Sequence, residues 1–233
     1  MKIKWLGQSG YLLWDEETAI ALDPYLSDSV NRIAGRPRMP EIPVLPEELK
    51  ADVVICTHDH ADHLDPDTVA AMRPEERMFY APADCLAHLR ELGAVQMAAF
   101  DEGTVVTAGD FTLEAVFALH SVPAVGVFVT YEGKRLWFSG DTLYDPRLEQ
   151  MAQRRPDAVF LCINGKLGNM NVDEAVKLAG FMEGSVAVPT HYGMFASNTE
   201  DPRKFTSRVE NSFEMEYNRE YTIEELLDRR KRT

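Results

Sequence analysis

The residues Thr57-His58-Asp59-His60-Ala61-Asp62-His63-Leu64-Asp65 follow directly on the apolar run Ala51 to Cys56. ADVVIC reads as a buried strand, so the fold must end a core strand against a dense polar cluster. Two histidines at i and i+2 leaving a strand, His58 and His60, can converge on one ion. The adjacent Asp62 and His63 can turn toward a second ion nearby. Imidazole and carboxylate donors together suit borderline divalent metals such as zinc, manganese or iron. A lone histidine is commonly a surface or hydrogen-bonded residue. Three packed beside Asp62, inside the chain and after core-like sequence, read as ligands.

Such a centre needs donors from elsewhere, and three strand ends offer them. His120 closes FTLEAVFAL, Asp141 follows LWFSG, and His191 follows SVAVPT. Singly, each has an ordinary reading: a strand cap, an Asx turn after Gly140, a loop histidine. Taken with the cluster, they complete two sets. His58, His60 and His120 can hold one ion, Asp62, His63 and His191 the other, and Asp141 can bridge. Asp23, between the strand TAIAL and Pro24, can orient a ligand histidine from behind. Asp59 points away from its neighbours in a strand exit and is read as supporting a ligand or locking the loop. Asp65 with Pro66 reads as the N-cap and first residue of a helix over DTVAAM. His88, in the helix-like CLAHLREL, is read as structural or exposed.

The rest of the chain alternates strands with short helices. IKWLG, YLLWD and TAIALD read as three strands joined by tight turns. MFYAP, AVQMAAF, Thr104 to Thr107, Phe111 to Leu119, Val125 to Tyr131, Arg135 to Ser139, DAVFLCI and SVAVPT read as further strands. Asn171 with Glu174, and Thr222 with Glu225, are spaced as capping boxes opening helices. The basic tail Arg229 to Arg232 suits a helix C-terminus. Ser27 to Glu48, with its prolines and with Arg32, Arg36 and Arg38, lacks periodicity and is expected to be a long loop. The 233 residues can bury one substantial core, and no low-complexity linker divides them. Two packed sheets with helices outside are expected, as one domain over residues 1–233.

Composition narrows the function. A formal net charge of −14 argues against a nucleic-acid surface. MKIKWLGQSG is not an apolar signal segment, and no run is apolar enough to span a bilayer, so no membrane role is expected. Cys56, Cys85 and Cys162 are an odd, widely spaced set that implies no disulfide framework and fits the cytoplasm. A closed homo-oligomer is the default assembly.

The pattern resembles the metallo-beta-lactamase-fold hydrolases. HDHADH fits their H-x-H-x-D-H motif, and their later ligands match His120 in ALHSVPAVG, Asp141 in FSGDT and His191 in VPTHYGMF. The resemblance covers essentially the whole chain. It implies an αββα sandwich of two packed mixed β-sheets, built from two similar halves, with a dinuclear centre at one edge. IKWLGQSGYLL, ALDPYLS, NGKLGNMNVDEA and VPTHYGMF are similar to the UlaG-like (L-ascorbate-6-phosphate lactonase-like) group. Gln8 stands where many superfamily members have a histidine. The implied function is hydrolysis of a small anionic lactone or ester with two divalent ions, zinc or manganese first and iron next. In that reading Asp62 is also a proton carrier. Asn164, Lys166 and Asn169, after DAVFLCI, can reach the metal rim, with Lys166 binding a substrate anion. Tyr192 and Phe195 can wall the pocket or pack the core. The loop arginines are an alternative anion clamp. The competing functions are a phosphodiesterase on the same metals and a non-catalytic metal-binding or regulatory protein.

Overall fold

The computed structural model describes residues 1–228. One sheet contains β1 (Lys2–Gly7), β2 (Gly10–Trp14), β3 (Ala19–Leu22), β4 (Val53–Ile55), β5 (Met78–Ala81), β6 (Gln96–Ala99) and, beside β1, a short β13 (Glu220–Thr222). The second contains β7 (Val105–Ala108), β8 (Phe111–Phe117), β9 (Val125–Tyr131), β10 (Lys134–Phe138), β11 (Ala158–Cys162) and β12 (Val186–Thr190). Both are mixed. The β1, β2 and β3 pairings are antiparallel and those from β3 to β6 parallel. In the second sheet β7 to β10 pair antiparallel, and β10 to β12 parallel.

Period-two alternation decides which face meets which layer. On β4, Val53 and Ile55 point into the core between the sheets, where Ile3, Tyr11, Leu13, Phe111, Val127, Phe138 and Phe160 also pack. Val54 points the other way, into a second cluster with Phe79, Val69, Met72 and Leu89. Those last three lie on or beside α2 (Pro66–Ala71) and α3 (Leu86–Glu91), which cover the first sheet. The second sheet is covered by α5 (Val172–Gly180), which buries Ala175, Leu178 and Ala179. The result is the αββα sandwich expected from the sequence. Strands covered on both faces carry unbroken apolar runs, as in the fully buried AVFLC of β11.

Local signals act as their chemistry dictates. The Asp65 side chain accepts from Asp67 N at the start of α2, with Pro66 in the first turn. Asn171 and Glu174 close a capping box on α5, and Thr222 and Glu225 close one on α7 (Ile223–Leu227). The three cysteines are free and buried. Arg229 to Arg232 lie outside the described residues. Among the described residues, no helix is long and apolar enough to cross a membrane.

Ser27 to Glu48 is not wholly irregular. It contains α1 (Ser29–Ala34) and a 3-10 turn at Pro46–Glu48. Helix α1 escapes sequence reading because it lacks a side-chain cap and buries only Ser29 and Val30 before Gly35 ends it in the left-handed region. The segment is docked rather than loose. Ser29 Oγ donates to Ala61 O at 3.4 Å, and Met39 N donates to Met194 O at 2.8 Å.

Candidate metal centre

Strand β4 delivers its cluster at the edge where the two sheets meet. After Ile55 the chain curls: His63 N and Leu64 N both donate to His60 O, at 2.9 and 2.8 Å. The curl sends His58 and His60 to one side and Asp62 and His63 to the other. The distant donors arrive from loops that bind one another. Leu119 N donates to Thr142 Oγ1 at 2.9 Å, Leu143 N to Leu119 O at 2.8 Å, and Met170 N to Thr142 O at 2.8 Å. Gly140, at φ 62°, permits the turn into Asp141, since a Cβ there would lie 2.8 Å from Val125 O.

The donor atoms fall into two trios and a link: His58, His60 and His120; Asp62, His63 and His191; and His58, His63 and Asp141, all within 4.8 Å inside each group. His58 Nε2 lies 2.9 Å from His60 Nδ1, which lies 3.2 Å from His120 Nε2. On the other side Asp62 Oδ2 is 3.8 Å from His63 Nε2 and 3.7 Å from His191 Nε2. Asp141 lies between the trios. Its Oδ1 is 3.3 Å from His63 Nε2, and its Oδ2 is 3.0 Å from His191 Nε2 and 4.0 Å from His120 Nε2.

Hydrogen bonds behind the rings decide which nitrogen faces inward. His120 Nδ1 meets Gly168 O at 3.0 Å, and His63 Nδ1 meets Asp23 Oδ2 at 2.8 Å, so in each the Nε2 lone pair is turned to the centre. Asp23 also accepts from Thr57 N and Thr57 Oγ1, both at 2.7 Å. Asn169 Nδ2 donates to Asp141 Oδ2 at 2.8 Å and to Asn164 Oδ1 at 3.1 Å. Gln8, Asp23 and His191 all have positive φ, 53°, 43° and 61°, which costs roughly 1–3 kcal/mol each for residues with a Cβ.

The electrostatics suit cations. Burial, then the charge of His63, hold His58 well below the ordinary imidazole range. Burial and His120 lower His60 in the same sense. Burial alone would push His63 down, but the carboxylates of Asp141, Asp23 and Asp62 outweigh it and raise it well above that range. Burial would raise Asp141, yet His191 and His63 hold it well below the usual carboxylate range. His63 Nε2, Asp141 Oδ1 and His191 Nδ1 are buried without a hydrogen-bond partner among the described residues. Clustered imidazoles beside an ionised carboxylate, with His63 Nε2 and Asp141 Oδ1 turned inward and unpaired, fit one or two divalent ions.

The remaining expected residues fall unequally. Asn164 and Asn169 do not face an open rim; both are buried in the network behind Asp141, because their amides satisfy that carboxylate and Asn198. Tyr192 and Phe195 are buried, Tyr192 against Trp5 and Phe195 against Tyr25. Asp59 binds His88 Nδ1 at 2.8 Å, tying the ligand loop to α3. Lys166 is exposed on the loop that carries Gly168, its Nζ 3.3 Å from Ser197 O. Arg38 is committed to carbonyls of Tyr25, Ser27 and Pro40, and Arg32 to Asp67, which engages two of the three arginines of the alternative anion clamp. Thr57 and Gly168 escaped the sequence reading. Thr57, wedged between strand and ligand, carried a signal only in its position.

An αββα sandwich with histidine and aspartate donors at the edge of its sheets defines a metallo-β-lactamase-fold protein. A model of the beta-lactamase superfamily domain matches residues 18–192, and the chain belongs to that superfamily, among metal-dependent hydrolases of the UPF0173 type. It is 32% identical over 229 residues to a UPF0173 metal-dependent hydrolase of Aeropyrum pernix, covering 90% of this chain and 89% of that one. It is 30% identical over 227 residues to one of Archaeoglobus fulgidus, covering 90% of each. Among solved structures, Igni18, a metallo hydrolase of Ignicoccus hospitalis, aligns with a TM-score of 0.77 at 22% identity, over 94% of this chain and 97% of that one. The isothiocyanate hydrolase from Delia radicum gut bacteria aligns at 0.80 and 18% identity, over 96% and 99%. These last two likenesses are of fold.

Proposed function

We propose that the protein is a dinuclear hydrolase of a small ester or lactone bearing an anionic group, in the manner of L-ascorbate-6-phosphate lactonase-like enzymes. The observation that carries this reading is the pairing of two complete donor trios across Asp141. His58, His60 and His120 would hold one ion, Asp62, His63 and His191 the other, and Asp141 would serve both. When bound, such ions supply Lewis acidity toward a carbonyl and make water reactive near neutral pH. The chain's own residues keep the donors in register. Asp23 and Gly168 fix two imidazoles, and Asn169 fixes the Asp141 carboxylate. Asp62, whose side chain is 19% exposed against 6% for Asp141, is the carboxylate open to substrate. It can take the proton released by the attacking water and pass it to the leaving oxygen.

The rim favours an ester or lactone over a phosphodiester. Leu119, Leu143 and Leu167 are exposed on the segments that carry His120, Asp141 and Gly168. Lys166 supplies positive charge beside them, while Arg32 and Arg38 are engaged elsewhere. Hydrocarbon with one cation suits a singly anchored ring or acyl group. The test is a hydrolysis screen of metal-reconstituted protein on phosphorylated lactones, simple lactones and esters, and phosphodiesters, with an Asp141→Ala, His191→Ala double variant as blank. Lactone or ester turnover absent from the blank is expected. Turnover of phosphodiesters alone would overturn the assignment.

A further inference from the structure

The turn between β1 and β2 enters the centre through one residue, Gln8. Its side chain is completely buried, and its Nε2 donates to Asp62 Oδ2 at 2.8 Å. Its backbone carbonyl accepts from Trp5 Nε1 at 3.0 Å, Thr190 Oγ1 at 2.8 Å and the backbone N of His191 at 3.1 Å. Three donors on one carbonyl oxygen, which offers two lone pairs, pin the turn against the end of β12. Gln8 thereby touches two of the three donors of one trio by separate groups, and no atom of it meets a donor of the other trio among its hydrogen bonds.

The orientation of the amide is determined. Exchanging its oxygen and nitrogen would set Oε1 against the Asp62 carboxylate, two acceptors in contact. As it stands, Oε1 is buried with no partner among the described residues. A residue kept only for packing would avoid that cost, since methionine or leucine fills similar volume without an orphaned acceptor. The nitrogen explains the amide. Its second contact, 3.2 Å from His191 Nε2, is one that a cation on that imidazole nitrogen would replace.

We propose that Gln8 is the positioning residue of the Asp62–His63–His191 metal site, holding the Asp62 carboxylate by its carboxamide and the His191 backbone by its carbonyl. This rests on the dinuclear reading above. Gln8→Met removes the amide donor and leaves the backbone carbonyl in place, so it isolates the grip on Asp62.

The experiment is a zinc titration of the metal-free chain against a competing chelator, wild type beside Gln8→Met, with thermal denaturation of both metal-free proteins. Wild type should take up two equivalents. Gln8→Met should bind one of the two with unchanged affinity and the other about 10- to 100-fold more weakly. Equal affinities for both equivalents in the two proteins would overturn the proposal, and so would an equal loss at both sites, which would mark Gln8 as a general fold residue. Uptake of one equivalent by wild type would instead overturn the dinuclear reading, and this inference with it. Should Gln8→Met fail to fold, the carboxamide proton resonances of wild-type Gln8 provide the test. They should shift with one equivalent of zinc and not with the other; equal shifts with both, or none, overturn the proposal.

Discussion

Replacing Asp23 by asparagine should change which nitrogen of His63 carries the proton. Asp23 is fully buried, with Oδ1 accepting from Thr57 N while Oδ2 accepts from Thr57 Oγ1 and faces His63 Nδ1. An asparagine keeps the Thr57 N bond only by placing its oxygen at Oδ1, which puts an NH2 where Oδ2 was. The Thr57 hydroxyl can rotate to accept from it. His63 cannot rotate: Nδ1 must become the acceptor, and the proton moves to Nε2, the atom 3.3 Å from Asp141 Oδ1. Restoring the binding tautomer then costs one buried hydrogen bond, about 1.5–3 kcal/mol when a charged group is involved. Loss of such a supporting partner commonly weakens a metal site about 10- to 100-fold, the same range expressed as affinity. Removing the carboxylate also lowers the raised proton affinity of His63, which eases metal entry at low pH. The deficit should therefore widen as pH rises, where wild type has no second imidazole proton to shed. Zinc competition titrations at two pH values, with imidazole nitrogen shifts to read the tautomer, measure both effects. Unchanged affinity together with a retained Nδ1 proton would refute the reasoning.

Three further outcomes are expected. Gly168→Ala places a Cβ 3.0 Å from His120 Nδ1 at a φ of +90°, so it should cost about 1–3 kcal/mol of stability and weaken the His58–His60–His120 site; denaturant melts and metal titration read both. Lys166→Ala should raise KM for anionic esters by up to about 5-fold, an exposed charge contributing roughly 1 kcal/mol or less, while uncharged esters are unaffected in a parallel kinetic comparison. Metal-free protein should lose stability as pH falls below about 6.5, where the unfolded chain protonates His58 and His60 and the folded chain resists, with His58 contributing up to about 1.4 kcal/mol per pH unit. His63, raised in the fold, contributes stability fully present below that pH, so it adds no slope there. Urea melts at pH 7 and 5.5, compared with His58→Gln, isolate the His58 contribution, and equal slopes in the two proteins would count against it.

The sequence carried most of the fold because its signals are local. The apolar bursts YLLWD and DAVFLCI mark strands, and the capping boxes at Asn171 and Thr222 mark helix starts. The short α1 and β13 were illegible because tertiary contacts, not periodicity, sustain them. At the site, the donors were legible as polar residues where apolar strands end. Their supports were not. Asn169 lies on a loop where a substrate contact and a buried brace look alike in sequence, and only the 2.8 Å bond to Asp141 separates them. Arg38 likewise resembles an anion binder until its guanidinium is seen spent on carbonyls.

The same distinction bears on specificity. Asp23, Gln8, Gly168 and Asn169 each brace a donor carried by a segment other than their own, and none is free to contact a substrate without releasing that donor. Variation in what the centre accepts therefore has to come from residues outside this set. Those on the rim are Leu119, Leu143, Lys166 and Leu167, exposed and weakly bound, and the docked segment around α1 that touches Ala61 and Met194. A substitution on the rim should alter KM between substrates and leave metal content intact, whereas a substitution among the braces should alter metal content first and activity in proportion. A rim variant that lost metal, or a brace variant that changed substrate preference at full metal occupancy, would show that the two layers are not separable in this protein.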